Sequence, residues 1–326
     1  MEKKELKLGR LVVSSSPHIE EDDHIIRRMW ATFIALLPVG FAGVYIFGIH
    51  SLYVILVSLA AAALTEIACQ KMQRRKVTAS DGSALICGLL LAYNLPPDVP
   101  VWIPILGTVF AVGVGKHLFG GLGFNIFNPA LVGRAFLMTS WPTHMTSWTN
   151  PRFAIDAVSS ATPLTILKEK GVFSISELPL NYWDLFIGNR GGCIGEVCVI
   201  ALLVGAAYLL YKQYISWQTP ISFILTTGFL SWVFSGSRLF SGDFLLSILS
   251  GGLILGAFFM ATDYVTGPLT KKGKLIFGLG CGLITFLIRK YGGYPEGVSY
   301  AILTMNAFVP TIDRFCRLKP YGFKRG

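Results

Sequence analysis

The chain has 326 residues, of which 53% are hydrophobic and 14% charged, and its formal net charge is +10. Its mean hydropathy is +0.59. Soluble domains carry about 25% charged residues, so a soluble globular protein is excluded. The basic excess collects at the ends of apolar blocks. That pattern serves membrane orientation and contact with anionic lipid, and it argues against nucleic acid as a partner.

The first apolar block follows a polar stretch of 28 residues and lacks an A-x-A-like exit. No cleavable signal peptide is therefore expected, and residues 1–28 read as a cytosolic segment. Apolar blocks recur at 29–48, 51–69, 82–95, 99–116 and 122–140. After a long connection they return at 194–211, 218–234, 243–261, 274–289 and 297–313. Most approach the roughly 20 residues that cross about 30 Å of hydrocarbon as helix. The expected fold is an all-α integral membrane protein of about ten crossing elements, with 29–140 and 194–313 as its two membrane halves. Asn94-Leu95-Pro96-Pro97 ends the third block, Gly120-Gly121-Leu122-Gly123 opens the fifth, and Pro129 interrupts it. Such breaks survive at membrane depth only where protein or a cavity satisfies the freed backbone groups.

With the N-terminus inside, 20 of the 28 Lys and Arg fall in inside connections and 7 outside, with Arg134 left within a span. The bias predicts cytoplasmic N- and C-termini, a cytosolic tail over 314–326, an extracytoplasmic loop over 141–193 and residence in the inner (plasma) membrane. Loops longer than about 12–15 residues are usually functional or disordered. This one holds Trp141, Trp148 and Trp183, which predicts an ordered loop seated at the lipid interface.

Ser83–Ala92 resembles Ser247–Gly256 in sequence, and Gly123–Ala130 has a looser echo in Gly297–Ala307. The two members of each pair start from opposite faces. Two inverted repeats with matched broken helices are therefore expected, against chance similarity of Gly/Leu/Ala-rich helices. Small residues four apart, as in Gly107, Ala111 and Gly115, in Gly252 and Gly256, and in Gly278 and Gly282, predict close helix packing.

The six cysteines form no CxxC pair and fit neither a zinc nor an iron–sulfur spacing. They read as packing residues, and no metal centre is expected. Asp263, with Thr262 and Thr266, offers oxygen ligands to a small cation or caps a turn before Gly267-Pro268, and capping is preferred. Lys116, His117 and His144 read as interfacial side chains. Asp184 and Glu196 receive no role.

Two runs carry more. Asn128-Pro129-Ala130-Leu131-Val132-Gly133-Arg134-Ala135-Phe136 lies in the fifth block, and Asp156-Ala157-Val158-Ser159-Ser160-Ala161-Thr162 lies in the outer loop before Pro163. Through these motifs and their spacing the whole chain resembles the NqrB/RnfD family. That family comprises the D subunits of Rnf complexes, which are ion-translocating ferredoxin:NAD oxidoreductases, and the B subunits of sodium-pumping NADH:quinone reductases. The short polar N-terminus favours the first group.

In that family the final Thr of the D-x-x-S-x-A-T run holds FMN through a phosphoester. The resemblance implies covalent FMN at Thr162, with Asp156, Ser159, Ser160 and Ala161 as the attachment motif. A separate flavin transferase installs the group on the outer side. It also implies other complex subunits as partners, and it raises a second, non-covalent flavin for which no residues are assigned. Asp156 either orients the loop, or helps the transferase bind a metal, or makes an Asx turn. Arg134 either neutralises a flavin phosphate or reduced flavin, or satisfies broken-helix carbonyls and snorkels.

No catalytic residue is assigned, and neither a nicotinamide fingerprint nor an iron–sulfur ligand set is present. The expected function is an electron-relaying membrane subunit of a complex that moves Na⁺ or H⁺. The alternative from another class is a channel or transporter for a small polar solute without a redox role.

Overall fold

The computed structural model describes residues 25–75, 77–149, 151, 162–171, 175, 178, 180–236 and 238–316. The regular structure of these residues is helical. Helices α1 (Ile25–Phe47) and α2 (Ile49–Met72) are long and apolar enough to cross a membrane. Gly48 between them has φ 99, a left-handed conformation that glycine takes without strain. Helices α3 (Ser83–Tyr93), α4 (Trp102–Val112) and α5 (Pro129–Ser140) follow. The connection 141–193 holds α6 (Pro142–Met145), α7 (Pro163–Lys170) and α8 (Tyr182–Ile187). The remainder is α9 (Val199–Tyr211), α10 (Gln218–Phe234), α11 (Phe244–Leu249), α12 (Leu253–Leu255), α13 (Lys271–Tyr291) and α14 (Val298–Phe315).

Each of the ten apolar blocks therefore contains helix, but several are interrupted. The fifth is helical only from Pro129, where the Asn128 side chain accepts from the N–H groups of Ala130 and Leu131. Proline at the first position has no N–H to leave unpaired, so this start is locally encoded. The fourth block ends in a π-helical turn over Gly113–His117. The eighth, expected as one element, breaks between α11 and α12 at Gly251, φ 67, and ends in a second π turn over Gly256–Met260.

These breaks are satisfied by each other. Asn128 Nδ2 donates to the Met260 carbonyl at 3.2 Å, which joins the start of α5 to the end of the second π turn. Oriented to satisfy its amide, Asn306 of α14 accepts from the Asn128 N–H at 3.1 Å and donates to Ile302 and Thr266 carbonyls. The asparagines of the two echoed motifs thus sit side by side.

The packing pattern also recurs. Helix α2 lies against α3 and α4, and α4 against α5. In the second half α10 lies against α11 and α13, and α13 against α14. Across the halves α1 meets α9 and α5 meets α14. The outer faces are apolar, with Phe41, Leu64, Phe229, Leu225 and Leu279 all exposed. A surface of this kind fits a hydrocarbon solvent and not water.

The long connection folds onto the bundle. Leu167 and Leu185 pack with Leu246 of α11. Tyr182 Oη donates to Asp243 Oδ2 at 2.6 Å, and Asp243 also caps α11. Burial, and then the hydrogen bond to the anionic carboxylate, push the Tyr182 phenol up to about 12. Of the three tryptophans expected at the lipid interface, Trp183 is exposed and Trp148 is buried. Trp141 packs edge-on to Trp102 and Phe136.

Helix contact is closest where glycine removes the side chain. A β-carbon at Gly205 of α9 would lie 2.1 Å from the Ala35 carbonyl oxygen of α1, whereas one at Gly113 would meet nothing within 4 Å. Gly205→Ala should therefore cost about 1–3 kcal/mol by overpacking, and Gly113→Ala should leave stability near that of the parent. Thermal unfolding of the detergent-solubilised protein checks both.

Candidate functional site

Three places among the described residues bring together polar or charged side chains of interest. The first is the start of α7. Thr162 is the N-cap residue, with its Oγ1 accepting from the Thr165 N–H at 3.3 Å and lying 2.9 Å from Thr165 Oγ1. Its side chain is 3% exposed. Asp156, Ser159, Ser160 and Ala161 lie outside the described residues.

Two contacts hold α7 down. Lys168 Nζ donates to the Tyr294 carbonyl at 2.8 Å and to that of Gly292. Desolvation lowers the pKa of this ammonium. One turn earlier on the same face of the helix, Leu164 is buried against Gly251. A β-carbon there would lie 2.7 Å from Leu164 Cδ1 and 3.1 Å from Arg289 Nη2. The glycine at the break before α12 is thus what lets α7 close over the ends of α11 and α13.

The second place is a buried ion cluster between α2 and the first π turn. Lys116 Nζ sits 2.9 and 3.0 Å from the two Glu66 carboxylate oxygens and 2.7 Å from Ser83 Oγ. His117 Nε2 lies 2.8 Å from Glu66 Oε2, and Gln70 Nε2 donates to Oε1 at 2.7 Å. Glu66 is 1% exposed. The reading of Lys116 and His117 as interfacial is overturned. Both lie in the π turn and face inward, where Glu66, about fifty residues away in sequence, pairs with Lys116 and hydrogen-bonds His117. His144 does sit at an aromatic edge, against Trp102.

Beside this cluster runs a crevice of about 730 Å³, whose walls include Ser83, Lys116, Asn128, Phe258, Phe259 and Asp263. Asp263 Oδ2 accepts from Thr266 Oγ1 at 3.0 Å, while Thr262 Oγ1 turns back to the Phe258 carbonyl. Thr262 and Asp263 thus do not present a shared set of oxygens to a cation. Asn125 donates to the Phe127 carbonyl at 3.2 Å, within the irregular segment before α5.

The third place surrounds Arg134. Its guanidinium donates to Glu296 Oε2 and to Asn94 Oδ1, and Nη2 lies 3.9 Å from Cys193 Sγ. Cys193 donates in turn to the Asn94 carbonyl at 3.4 Å. Arg134 is therefore engaged inside the protein with a carboxylate and the end of α3. Glu196 accepts from the Cys193 N–H at 3.2 Å. Arg190 donates to the Glu196 carbonyl, and Arg289 donates to the carbonyls of Ser247 and Ser250. Cys193, Glu196 and Glu296 place one ligand-type atom each within 4.8 Å of one another. Arg134 already fills this space with a cation, which disfavours a metal ion there. The sequence left Glu196 and Glu296 without a role, and the only signal for Cys193 was its packing. No spacing rule joins residues 134, 196 and 296, and the fold alone brings them together.

A model of the NQR2, RnfD, RnfE family matches residues 12–322. The chain belongs to that family. It is 46% identical, over the full length of both chains, to the D subunit of the proton-translocating ferredoxin:NAD(+) oxidoreductase complex of Clostridium ljungdahlii. It is 45% identical to the D subunit of the Na(+)-translocating ferredoxin:NAD(+) oxidoreductase complex of Acetobacterium woodii, over 96% of this chain and 95% of that one. The D subunit of the ion-translocating oxidoreductase complex of Stutzerimonas stutzeri is 39% identical, over 91% of this chain and 92% of its own length. Asn128–Phe136 lies at the start of α5 and Thr162 at the cap of α7.

Removing one partner of a buried ion pair strands the other, at a cost of about 3–5 kcal/mol. Glu66→Ala should lose that much stability, and Glu66→Leu combined with Lys116→Met should recover most of it. Melting temperatures of the single and double variants check the coupling.

Proposed function

We propose that this chain is the D subunit of an ion-translocating ferredoxin:NAD oxidoreductase complex and that it carries FMN as a phosphoester on Thr162. The observation that carries the reading is full-length identity of 46% and 45% to two subunits of that name, together with a threonine at the cap of α7. The other subunits of the complex supply nicotinamide and iron–sulfur chemistry. A bound flavin exchanges electrons singly or in pairs, which suits a relay between one- and two-electron carriers.

The residues at Thr162 suit a phosphate. The first N–H groups of a helix and its positive dipole end favour an anion. Pro163 at the first position of α7 leaves the N–H of Thr165 directed at Thr162 Oγ1. A phosphate oxygen in that place inherits the donor. Thr162 is nearly inaccessible with α7 docked, so a flavin transferase must act before Leu164 and Lys168 lock the helix down. Docking then fixes the flavin-bearing residue against the bundle.

In this reading the chain crosses the inner membrane ten times in two inverted halves, 29–140 and 194–313. The termini are cytoplasmic and 141–193 is extracytoplasmic. The recurring packing of α2–α5 and α10–α14, and the meeting of Asn128 with Asn306, support the inverted repeat. The charge bias supports the orientation. For the second, non-covalent flavin we assign the crevice beside Lys116. Its lining combines the aromatic walls of Phe258 and Phe259 with the polar side chains of Ser83, Lys116 and Asn128, the mix that cofactor sites present.

The test is flavin fluorescence of the protein on a denaturing gel, after expression with a flavin transferase. The wild-type band should fluoresce, and its Thr162 peptide should gain the mass of FMN less water. Thr162→Ala should abolish the band. A dark wild-type band with an unmodified peptide, from the native host, overturns the assignment. Non-covalent flavin released on denaturation of the same preparation reports on the second site.

A further inference from the structure

The cluster around Arg134 contains two carboxylates that are treated unequally. Glu296 faces the Arg134 guanidinium. Glu196 has no guanidinium bond among the described residues; Oε1 accepts from the Cys193 N–H, and the Cys193 side chain lies beside the carboxyl. Glu196 Oε2 and Glu296 Oε1 are both buried without a partner among the described residues. The two residues are 3% and 9% exposed, and their ligand-type atoms approach within 4.8 Å.

A buried carboxylate with one hydrogen bond is costly while ionised. Two carboxylates at such close range resist being charged together. A single proton on the pair relieves both problems. The other titratable and charged groups facing the pair are Arg134 from α5, Arg190 and Cys193 from the segment before α9, Arg289 from α13 and Tyr300 from α14. Arg190 and Arg289 donate to backbone carbonyls, each keeping a buried Nε–H without a partner among the described residues, and Cys193 donates to the Asn94 carbonyl.

The pair is also reachable. A narrow crevice between α5 and α14, with room for about one water, is lined by Arg134, Ala135, Met138, Glu296, Ser299 and Tyr300. Tyr300 stacks on Tyr294, with ring centroids 5.6 Å apart, and Tyr294 is exposed. Glu296 lines the crevice. Glu196 lies further in, with Oε2 directed at Gly252, where a β-carbon would sit 3.2 Å from it. The small residues at the α11–α12 break leave room for this carboxyl.

We propose that Glu196 and Glu296 form a proton-binding pair within the bundle, reached through the crevice between α5 and α14. The proton rests on Glu196 while Glu296 stays ionised against Arg134. Its transfer breaks one O–H bond on one carboxyl and forms one on the other carboxylate, with no electron moved. An intramembrane carboxyl of this kind serves ion movement by default. The role assigned here rests on the reading of the chain as part of an ion-translocating complex.

The test uses the whole complex in inverted membrane vesicles. The rate of ion movement should fall about a hundredfold in Glu196→Gln, the scale on which loss of a proton-transferring side chain acts on rates. A wild-type rate in both Glu196→Gln and Glu296→Gln overturns the proposal. If a substitution prevents assembly, the wild-type complex decides. A hydrophobic carbodiimide adds only to protonated carboxyls, so peptide masses should place an adduct on Glu196 or Glu296 that declines as pH rises. A complex with neither glutamate modified at any pH overturns the pair. Flavin fluorescence at Thr162, retained in both variants, separates this outcome from failure of the flavin reading.

Discussion

Asn128 holds together two helix ends that the apolar interior would otherwise leave unsatisfied. Its side chain caps α5 and reaches the carbonyl at the end of the second π turn, while its own N–H is taken by Asn306. Inside a bundle with no water to spare, each freed N–H and C=O must find protein. The short helices, the two π turns and the Gly251 break all depend on this rule. At the start of α5 and the end of the second π turn, the side chain that answers the interruption comes from the other half of the chain.

The same rule governs the charges. Glu66 pairs with Lys116 and hydrogen-bonds His117 beside the large crevice, and Arg134 pairs with Glu296 between α5 and α14. Each cluster joins elements distant in sequence, so each fixes tertiary structure as well as charge. The second lies next to the helix that starts at Thr162, because Gly251 touches Leu164 of α7 on one side and Arg289 on the other. The cap of α7 and the charged cluster within the bundle are thus separated by one glycine and one leucine.

Much of the architecture was legible in the sequence because the bilayer acts as a one-dimensional constraint. Blocks of apolar residues gave the helices, and Asn94-Leu95-Pro96-Pro97 and Pro129 gave two of the interruptions. The Asn128–Phe136 and Asp156–Thr162 runs pointed to the family. The break at Gly251 was not legible, since Ser250-Gly251-Gly252 sits inside an apolar run with no proline. Lys116 and His117 were misplaced because a charged residue at the end of an apolar block looks the same whether it faces lipid headgroups or a buried partner. The π turn that carries them inward has no simple sequence mark.

Composition, block length and two local motifs by themselves determined that this is a helical membrane protein of a recognisable family, and they singled out Thr162. Those properties are local, set by hydropathy and by neighbours along the chain. Only the tertiary structure decided which charges are buried, that Glu66 meets Lys116, that Arg134 meets Glu296, and that Glu196 is left with an unpartnered oxygen among the described residues. A buried charge is defined by what stands within about 4 Å of it, and here the groups at that range come from distant parts of the chain.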